Sequence, residues 1–349
     1  MGTFPDLTQE FPMKPRPTII DVAKKAGVSK STVSRVIADD GLGVNQETKE
    51  RVLLAIEKLG YIRNAIASSM RTDRTNLIML AIPDITNPYW PEVARGVQDV
   101  MDKEGYAVVF ANSDWDEERE MGYLEMARRN RLDGILINPV QVSSEKIEAS
   151  GIPTVILGTR EEYRTFDRVG ADSYIGTKLA VKHLIDLEHK RIGMILGQRE
   201  IKSTDSRKRG YVDVLQDAGI AIDENLITTV PFTRAGGERG VATLFQLDTP
   251  PSAIFCANDT IAIGALQAAY AMGLSVPADL SIVGLDDIDS AATTSPPLTT
   301  ISKPKYDIGR QAATFLLEQI QADRLTSPRK LQLAGELCVR GTTALLIKK

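Results

Sequence analysis

The chain has 349 residues, 43% hydrophobic and 25% charged, with a net charge of −4, which exceeds the roughly 100–200 residues of one domain and fits an ordinary globular protein. No apolar run of about 18 residues is present to span a bilayer, and the opening MGTFPDLTQEFPMKPRP carries acids and prolines where a signal peptide needs a basic start and an apolar stretch, so a cytoplasmic location is expected. Two cysteines, Cys256 and Cys338, each inside an apolar run, offer no disulfide framework and read as inert core thiols.

Residues 1–16 read as a flexible tail. From Lys14 to Arg74 the chain carries twelve basic residues against seven acids, a net of +5, so the remainder of a chain of net −4 carries −9. A basic head on an acidic body points to a polyanion met by the head alone, although a charged surface can also be merely solvated. Residues 17–62 hold three short helical patterns. TIIDVAKKAG opens on Thr18 as N-cap with Asp21 three residues later, places Ile19, Val22, Ala23 and Ala26 on one face, and stops at Gly27. VSKSTVSRVI restarts with Ser29 as cap, turns Val33, Val36 and Ile37 inward, and leaves Lys30, Ser31, Thr32, Ser34 and Arg35 free. NQETKERVLLAIEKLG starts at Asn45, buries Val52, Ala55, Ile56 and Leu59, and ends at Gly60. Two helices joined by a tight turn, the second exposing Ser, Thr, Lys and Arg, describe a helix-turn-helix suited to the major groove. Three-helix modules also bind proteins, and the pattern alone leaves that alternative open. In RNAIASSMRT (63–72), Asn64 can cap a helix of about two turns that would be marginal alone in water.

Beyond Thr75, apolar runs such as LIMLAIP, AVVFAN, DGILINP, TVILG, RIGMILG, SAIFCAND and LSIVGLDD alternate with helical patterns. That alternation calls for parallel sheets covered on both faces, and two of about six strands each fit the length. Asp84, Asn87, Asp114, Asn258, Asp259, Asp286 and Asp287 follow directly on strands, where open α/β sheets form their crevice, though acids and amides there also serve as caps and turn formers. Tyr89 and Trp90 read either as core aromatics or as rings for the apolar face of a sugar or a planar base. His183 and His189 share one helix and suggest surface or helix-end positions, and no metal set or cofactor is expected.

The segments TIIDVAKKAGVSKSTVSRVI, TKERVLLAIEKLGY and NAIASSMRT resemble the headpiece of LacI/GalR-type bacterial transcription regulators, and AIPDITNPYW, SRKRGY, FCANDTIAIGALQA, SIVGLDD and PPLTTISKP resemble the effector core of that family. The resemblance implies a small all-α helix-turn-helix headpiece plus an α/β two-lobed, periplasmic-binding-protein-like core. It implies no enzyme but a ligand-controlled regulator, most simply a repressor, acting at the nucleoid. Lys30, Ser31 and Arg35 would read bases, and Thr18, Ser29, Thr32, Ser34, Asn45, Thr48 and Tyr61 would complete the DNA contacts. Residues 63–74 would form a hinge helix on DNA, with Asn64 as cap, Ala67 allowing close approach and Met70 wedged in the minor groove. The loop ADDGLGVN is longer and more acidic than the family's usual form.

For the core, 75–349, the resemblance implies lobes at about 75–172 with 304–329 and about 173–303 with 330–349, the third crossing falling near Lys330. Asp84, Asn87, Tyr89, Trp90, Arg160, Arg207, Asn258, Asp286 and Lys303 would line the effector pocket. Two departures bear on the ligand: Gly158 stands where the family often has Asp, and Lys303 where it often has Gln. A charge is thereby removed and an opposite one added, which suggests an acidic sugar derivative as effector. A purine or nucleoside effector, or a sugar-binding protein without regulatory role, are the alternatives. One headpiece of about 60 residues buries too little surface for tight specific binding, so a homodimer on a near-palindromic double-stranded operator is expected, with no membrane partner.

Overall fold

The computed structural model describes residues 17–38, 43–62, 74–197, 203–322 and 327–347. The chain divides into two compact units, Met1–Thr75 and Asn76–Lys349. The tail, the loop residues 39–42 and the linker positions Asn64, Ala67 and Met70 lie outside the described residues.

In the first unit, α1 (Ile19–Ala26), α2 (Lys30–Ala38) and α3 (Gln46–Leu59) pack around Val22, Ala23, Ala26, Val33, Val36, Val52 and Ala55. Local chemistry sets their ends. Thr18 and Asp21 close a capping box: the Thr18 amide and hydroxyl donate to Asp21 Oδ2 at 2.8 and 2.7 Å, and the Asp21 amide returns to Thr18 Oγ1 at 3.4 Å. These bonds hold the Asp21 carboxyl below its ordinary pKa. Asn45 Oδ1 accepts from the Thr48 amide at 2.8 Å, and Gly27 and Gly60 end α1 and α3 in the left-handed region at φ 66° and 60°.

In the second unit, β1 (Leu77–Ile82), β2 (Ala107–Asn112), β3 (Gly134–Ile137), β4 (Thr154–Leu157), β5 (Asp167–Ala171) and β11 (Lys330–Leu333) form a parallel sheet ordered β2-β1-β3-β4-β5-β11. The second sheet, β7-β6-β8-β9, is also parallel and uses Ile227–Thr229, Ile192–Leu196, Ala253–Cys256 and Ser281–Val283 in that order. Among the described residues it has four strands, not six. The other two, β10 (Thr300–Ser302) and β12 (Glu336–Cys338), form an antiparallel ribbon tied to the β9 side by parallel bridges at Val283–Thr299 and Asp286–Ser302.

Among the described residues the chain crosses between lobes three times. Asp172 leaves β5 and caps α7 (Ser173–Asp186), its Oδ1 accepting from the Tyr174 amide at 2.8 Å. Lys303–Pro304 joins β10 to α12 (Lys305–Gln321). The third crossing falls after Leu333, later than the expected Lys330, because Lys330–Leu333 pairs with β5 and so belongs to the first sheet. Helices α4 (Tyr89–Met101) and α12 cross in backbone contact: a Cβ on Gly96 would lie 2.1 Å from the Tyr306 carbonyl, and one on Gly309 1.9 Å from that of Val93. This close crossing brings α12, which begins at the second lobe-to-lobe segment, against the helix that opens with Tyr89 and Trp90.

His183 lies in the last turn of α7, as expected, while His189 departs from expectation. His189 is buried, with Nδ1 2.9 Å from Ser252 Oγ and Nε2 3.1 Å from both Ser281 Oγ and the Ala344 carbonyl. His183 Nε2 meets Thr343 Oγ1 at 3.0 Å, so both rings tie the C-terminal segment to the second lobe. Burial pushes both pKa values down. Cys256 is buried and its thiol pKa pushed up by burial, while Cys338 is half-buried near Asp287 rather than in the core. Among the described residues, no helix is long and apolar enough to cross a membrane, and no three His, Cys, Asp or Glu side chains converge as metal ligands.

Candidate DNA-reading face and effector cavity

The headpiece presents one polar helix face. Val33 and Val36 hold α2 against the core, which leaves Lys30, Ser31 and Arg35 exposed and Thr32 and Ser34 half-buried. Ser29 is the working cap: its Oγ accepts from the Thr32 amide at 3.1 Å and lies 2.7 and 2.8 Å from the Ser31 and Thr32 hydroxyls. The N-terminus of α2 therefore carries a cluster of hydroxyls and a lysine, a surface suited to phosphate and base edges. Thr18 and Asn45 are N-caps of the neighbouring helices, Thr48 donates its amide to the second of these caps, and Tyr61 is half-buried against the helical core.

In the core unit, a cavity of about 530 Å³ opens at the carboxyl ends of the strands, between residues of both lobes. Asn87, Tyr89, Trp90, Arg160, Arg207, Asn258, Asp286 and Lys303 all line it. Asp84 does not. Its Oδ1 accepts from the Thr86 amide at 2.8 Å and hydroxyl at 2.6 Å, so it shapes the turn after β1, a use of Asp as common as ligand binding. Asn87 accepts from the Tyr89 amide at 3.1 Å and fixes the entry to α4, where Tyr89 and Trp90 meet edge to face with centroids 5.0 Å apart. Asn258 caps α10 (Asp259–Ala271) through the Ile261 amide at 2.9 Å. Arg160 braces the wall: its guanidinium donates to the Pro139 carbonyl, lies over the Tyr163 ring at 4.8 Å and pairs with Glu162 at 3.4 Å.

Three buried charges line the cavity among the described residues: Arg207, Asp286 and Lys303, at 9%, 5% and 7% exposure. Lys303 Nζ donates to Asp286 Oδ1 at 2.9 Å and lies 5.5 Å above the Tyr89 ring, and Arg207 stands over the Phe232 ring at 5.8 Å. Burial pulls the Lys303 pKa down and the Asp286 charge opposes that; the same two influences act on Arg207. Asp286 and Asp287 sit at φ 128° and 56°. From α12, Lys305 donates to both their carbonyls, at 3.1 and 2.7 Å, and pairs with Glu92 at 3.2 Å. Arg340 binds the Asp287 carboxylate at 2.7 Å. A backbone conformation that L-residues rarely adopt is thus held from several sides.

Sequence reasoning missed several residues. Trp115, at φ 63° after β2, stacks on Phe232 from the second lobe at 5.1 Å and 15°, and both line the cavity. Glu120, buried on α5 (Glu117–Arg129), accepts from the amides of Val140, Gln141 and Val142 at 2.8, 3.2 and 3.1 Å and so fixes the loop behind Asn138 and Pro139. Asn138 directly follows β3, a signal that could have found it; Glu120 sits in a charged helix and gave none.

Asp259 lies behind this site, fully buried. Its Oδ1 accepts from the Thr300 hydroxyl at 2.5 Å and Oδ2 from the Ile288 amide at 2.9 Å, while burial and then the Asp286 charge push its carboxyl up to about 7. A raised folded-state pKa means that the folded protein holds this proton more tightly. Its contribution to stability is fully present below 3.8 and lost as pH rises through about 7. Wild-type protein is expected to lose thermal stability relative to Asp259→Asn between pH 5 and pH 8. Parallel melting-temperature curves over that range would refute the assignment.

With this geometry in view, comparisons with known proteins converge. Residues 18–64 match the family model described as bacterial regulatory proteins, lacI family, and residues 181–343 match the periplasmic binding protein-like domain. The HTH-type transcriptional repressor CytR of Escherichia coli K12 is 34% identical over 334 residues, 94% of this chain and 97% of that protein. The ribose operon repressor of Bacillus subtilis is 35% identical over 308 residues, 88% and 93% of the two chains. Among solved structures, the lac repressor dimer bound to operator and an anti-inducer matches with a TM-score of 0.84 at 27% identity, covering 95% of this chain and all of that one. A transcriptional regulator CelR–cellobiose complex matches at 0.70 and 30% identity, covering 94% and 100%. The chain belongs to the LacI family of bacterial regulators, DNA-binding proteins rather than enzymes, with a helix-turn-helix headpiece and a two-lobed ligand-binding core.

Proposed function

We propose that this regulator represses from a near-palindromic operator as a homodimer, acting at the nucleoid, and that its effector is a sugar derivative carrying a carboxylate. Residues 17–62 read DNA through Lys30, Ser31 and Arg35, and residues 63–74 couple the headpiece to the core. The lac repressor dimer on its operator and the relatives named for repression support the DNA-binding half of this reading. The CelR–cellobiose complex and a LacI-family regulator from Enterococcus faecium with bound ribose support a sugar-class effector.

The single observation that carries the acidic character is the charge lining the cavity: two buried cations, Arg207 and Lys303, against one buried carboxylate, Asp286. Burying a cation is costly, and a ligand carboxylate within reach of Lys303 and Arg207 adds a favourable interaction that a neutral ligand does not. Aromatic faces at Tyr89, Trp90, Trp115 and Phe232 favour a second reading, a nucleoside stacked through its base.

Both tryptophans of the chain line the cavity, so intrinsic fluorescence reports on this site directly. Titration with glucuronate, galacturonate, glucose, galactose and adenosine is expected to show the acids binding at least tenfold more tightly than their neutral partners. Lys303→Gln, which restores the residue common in the family, is expected to erase that preference. Tight binding of neutral sugars with silence toward the acids sinks the acidic reading, and saturation by adenosine alone installs the nucleoside. DNA-binding assays with each ligand that binds then link occupancy to operator release or retention.

A further inference from the structure

Two side chains of the first lobe reach the core of the second. Val140 is buried in a cluster whose other buried members all lie between Ala180 and Ile301, and Trp115 packs against the same cluster. Among the described residues, no other hydrophobic side chain of the first lobe joins it. Both contacts trace back to the opening turn of α5. Trp115 immediately precedes its cap, Asp116, and Glu120, the fourth residue of the helix, holds the amides around Val140.

The two side chains are placed by different means. Asp114 and Trp115 adopt consecutive left-handed conformations at φ 50° and 63°, which side chains of their size keep only where the surroundings fix them. Here Asp114 accepts from Asn112 Nδ2 at 2.5 Å and pairs with Arg119, and the Asp116 amide donates to the Ser113 carbonyl at 3.0 Å. The turn presents the indole to Phe232, and that ring is itself seated on Gly197, where a Cβ would lie 1.9 Å from its Cζ. Val140 is held through its backbone. The Glu120 carboxylate accepts three successive amides, the Tyr163 hydroxyl donates to the Val142 carbonyl at 2.7 Å, and Arg160 donates to the Pro139 carbonyl. Removing the carboxylate would leave three amides without their acceptor and release the loop that carries Val140.

We infer that the opening turn of α5 is a clasp that joins the lobes at the cavity, Trp115 gripping Phe232 directly and Glu120 serving as the positioning residue for Val140. The clasp belongs to the cavity lining: Trp115, Val140 and Phe232 all line it, and Arg207 stands over the Phe232 ring. Made by protein side chains alone, it contributes to the joined arrangement whether or not an effector is bound. Loosening it therefore lowers effector affinity through the population of that arrangement rather than through a lost ligand contact. The inference concerns the lobes and is independent of which effector they hold.

The test uses the full chain carrying Trp90→Phe, which leaves Trp115 as the only tryptophan, and reads acrylamide quenching of its fluorescence without added ligand. Phe232→Leu removes the stack and is expected to raise the quenching constant about twofold, the scale for a released indole. Glu120→Gln and Val140→Ala are each expected to raise it by at least half as much while keeping the parental far-UV circular dichroism. Val140→Ala leaves the Glu120 carboxylate and its three bonds in place, so it decides the matter should Glu120→Gln fail to fold. A lowered melting temperature with parental quenching in both variants assigns the two residues to packing alone and overturns the clasp. So does a Phe232→Leu variant whose indole is quenched as in the parent. A rise in Val140→Ala that a folded Glu120→Gln does not share removes Glu120 as the positioning residue, and a rise in Glu120→Gln alone removes Val140 as the point of grip.

Discussion

Replacing Asp286 by alanine is expected to destabilise the effector core by about 3–5 kcal/mol, the cost of leaving one member of a buried ion pair alone. The Lys303 and Asp286 side chains are 7% and 8% exposed and meet at 2.9 Å. The backbone change is small by comparison. Position 286 is already strained at φ 128°, and Lys305 would still hold the carbonyls of 286 and 287. The effect should therefore belong to the charge. A double variant, Asp286→Ala with Lys303→Met, removes both charges and is expected to recover more than half of the loss, because apolar replacements of a buried pair cost little. Urea unfolding midpoints of the full chain distinguish the cases. An Asp286→Ala variant as stable as the parent would mean that the pair is solvated and that the charge argument for the effector is wrong. The same substitution should bring the Asp259 carboxyl down, since the Asp286 charge is, after burial, the largest cause that raises it.

What the sequence made legible was whatever local chemistry decides. The headpiece helices begin and end at residues whose side chains or φ angles do the capping, as with Thr18–Asp21, Asn45, Gly27 and Gly60, and their inward faces follow the helical period. Cavity residues that follow a strand directly were also visible, because a parallel sheet gathers strand ends into one crevice. The misses share a different cause. Trp115 and Phe232 matter through their meeting across two lobes, which no local pattern encodes. Asp84 was assigned to the cavity because an aspartate after a strand serves a turn as readily as a ligand, and only its bonds to Thr86 decide. The last crossing was placed too early because Lys330–Leu333 alternates exposed and half-buried residues, an edge-strand pattern that does not announce which sheet it joins. His189 was read as a surface or helix-end residue because its three partners come from distant segments.

The larger effect is expected in DNA binding. Arg35→Ala should weaken binding to the operator that the wild-type protein selects from a randomised DNA pool by a factor of roughly 30 or more. On α2, Ser31 and Arg35 stand one turn apart on the exposed face beside Lys30, while Val33 and Val36 anchor the opposite side. A guanidinium pairing with the O6 and N7 atoms of guanine contributes about 1–3 kcal/mol of discrimination, and a two-fold dimer makes the contact in both half-sites. Two lost contacts then remove about 2–6 kcal/mol, while binding to unrelated DNA falls only by the loss of one positive charge per headpiece. The specificity ratio separates the two roles that Arg35 could have. A base-reading arginine, once removed, lowers specific binding far more than non-specific binding; a phosphate-contacting one lowers both alike and reduces the salt dependence. Lys30→Ala serves as the internal comparison, because an ammonium is a point charge that reads bases more loosely and should cost less specificity for the same change in charge. If Arg35→Ala keeps the parental ratio between operator and unrelated DNA, the recognition face has been misplaced, and the hydroxyls of Ser29, Ser31 and Thr32 at the start of α2 become the residues to vary next.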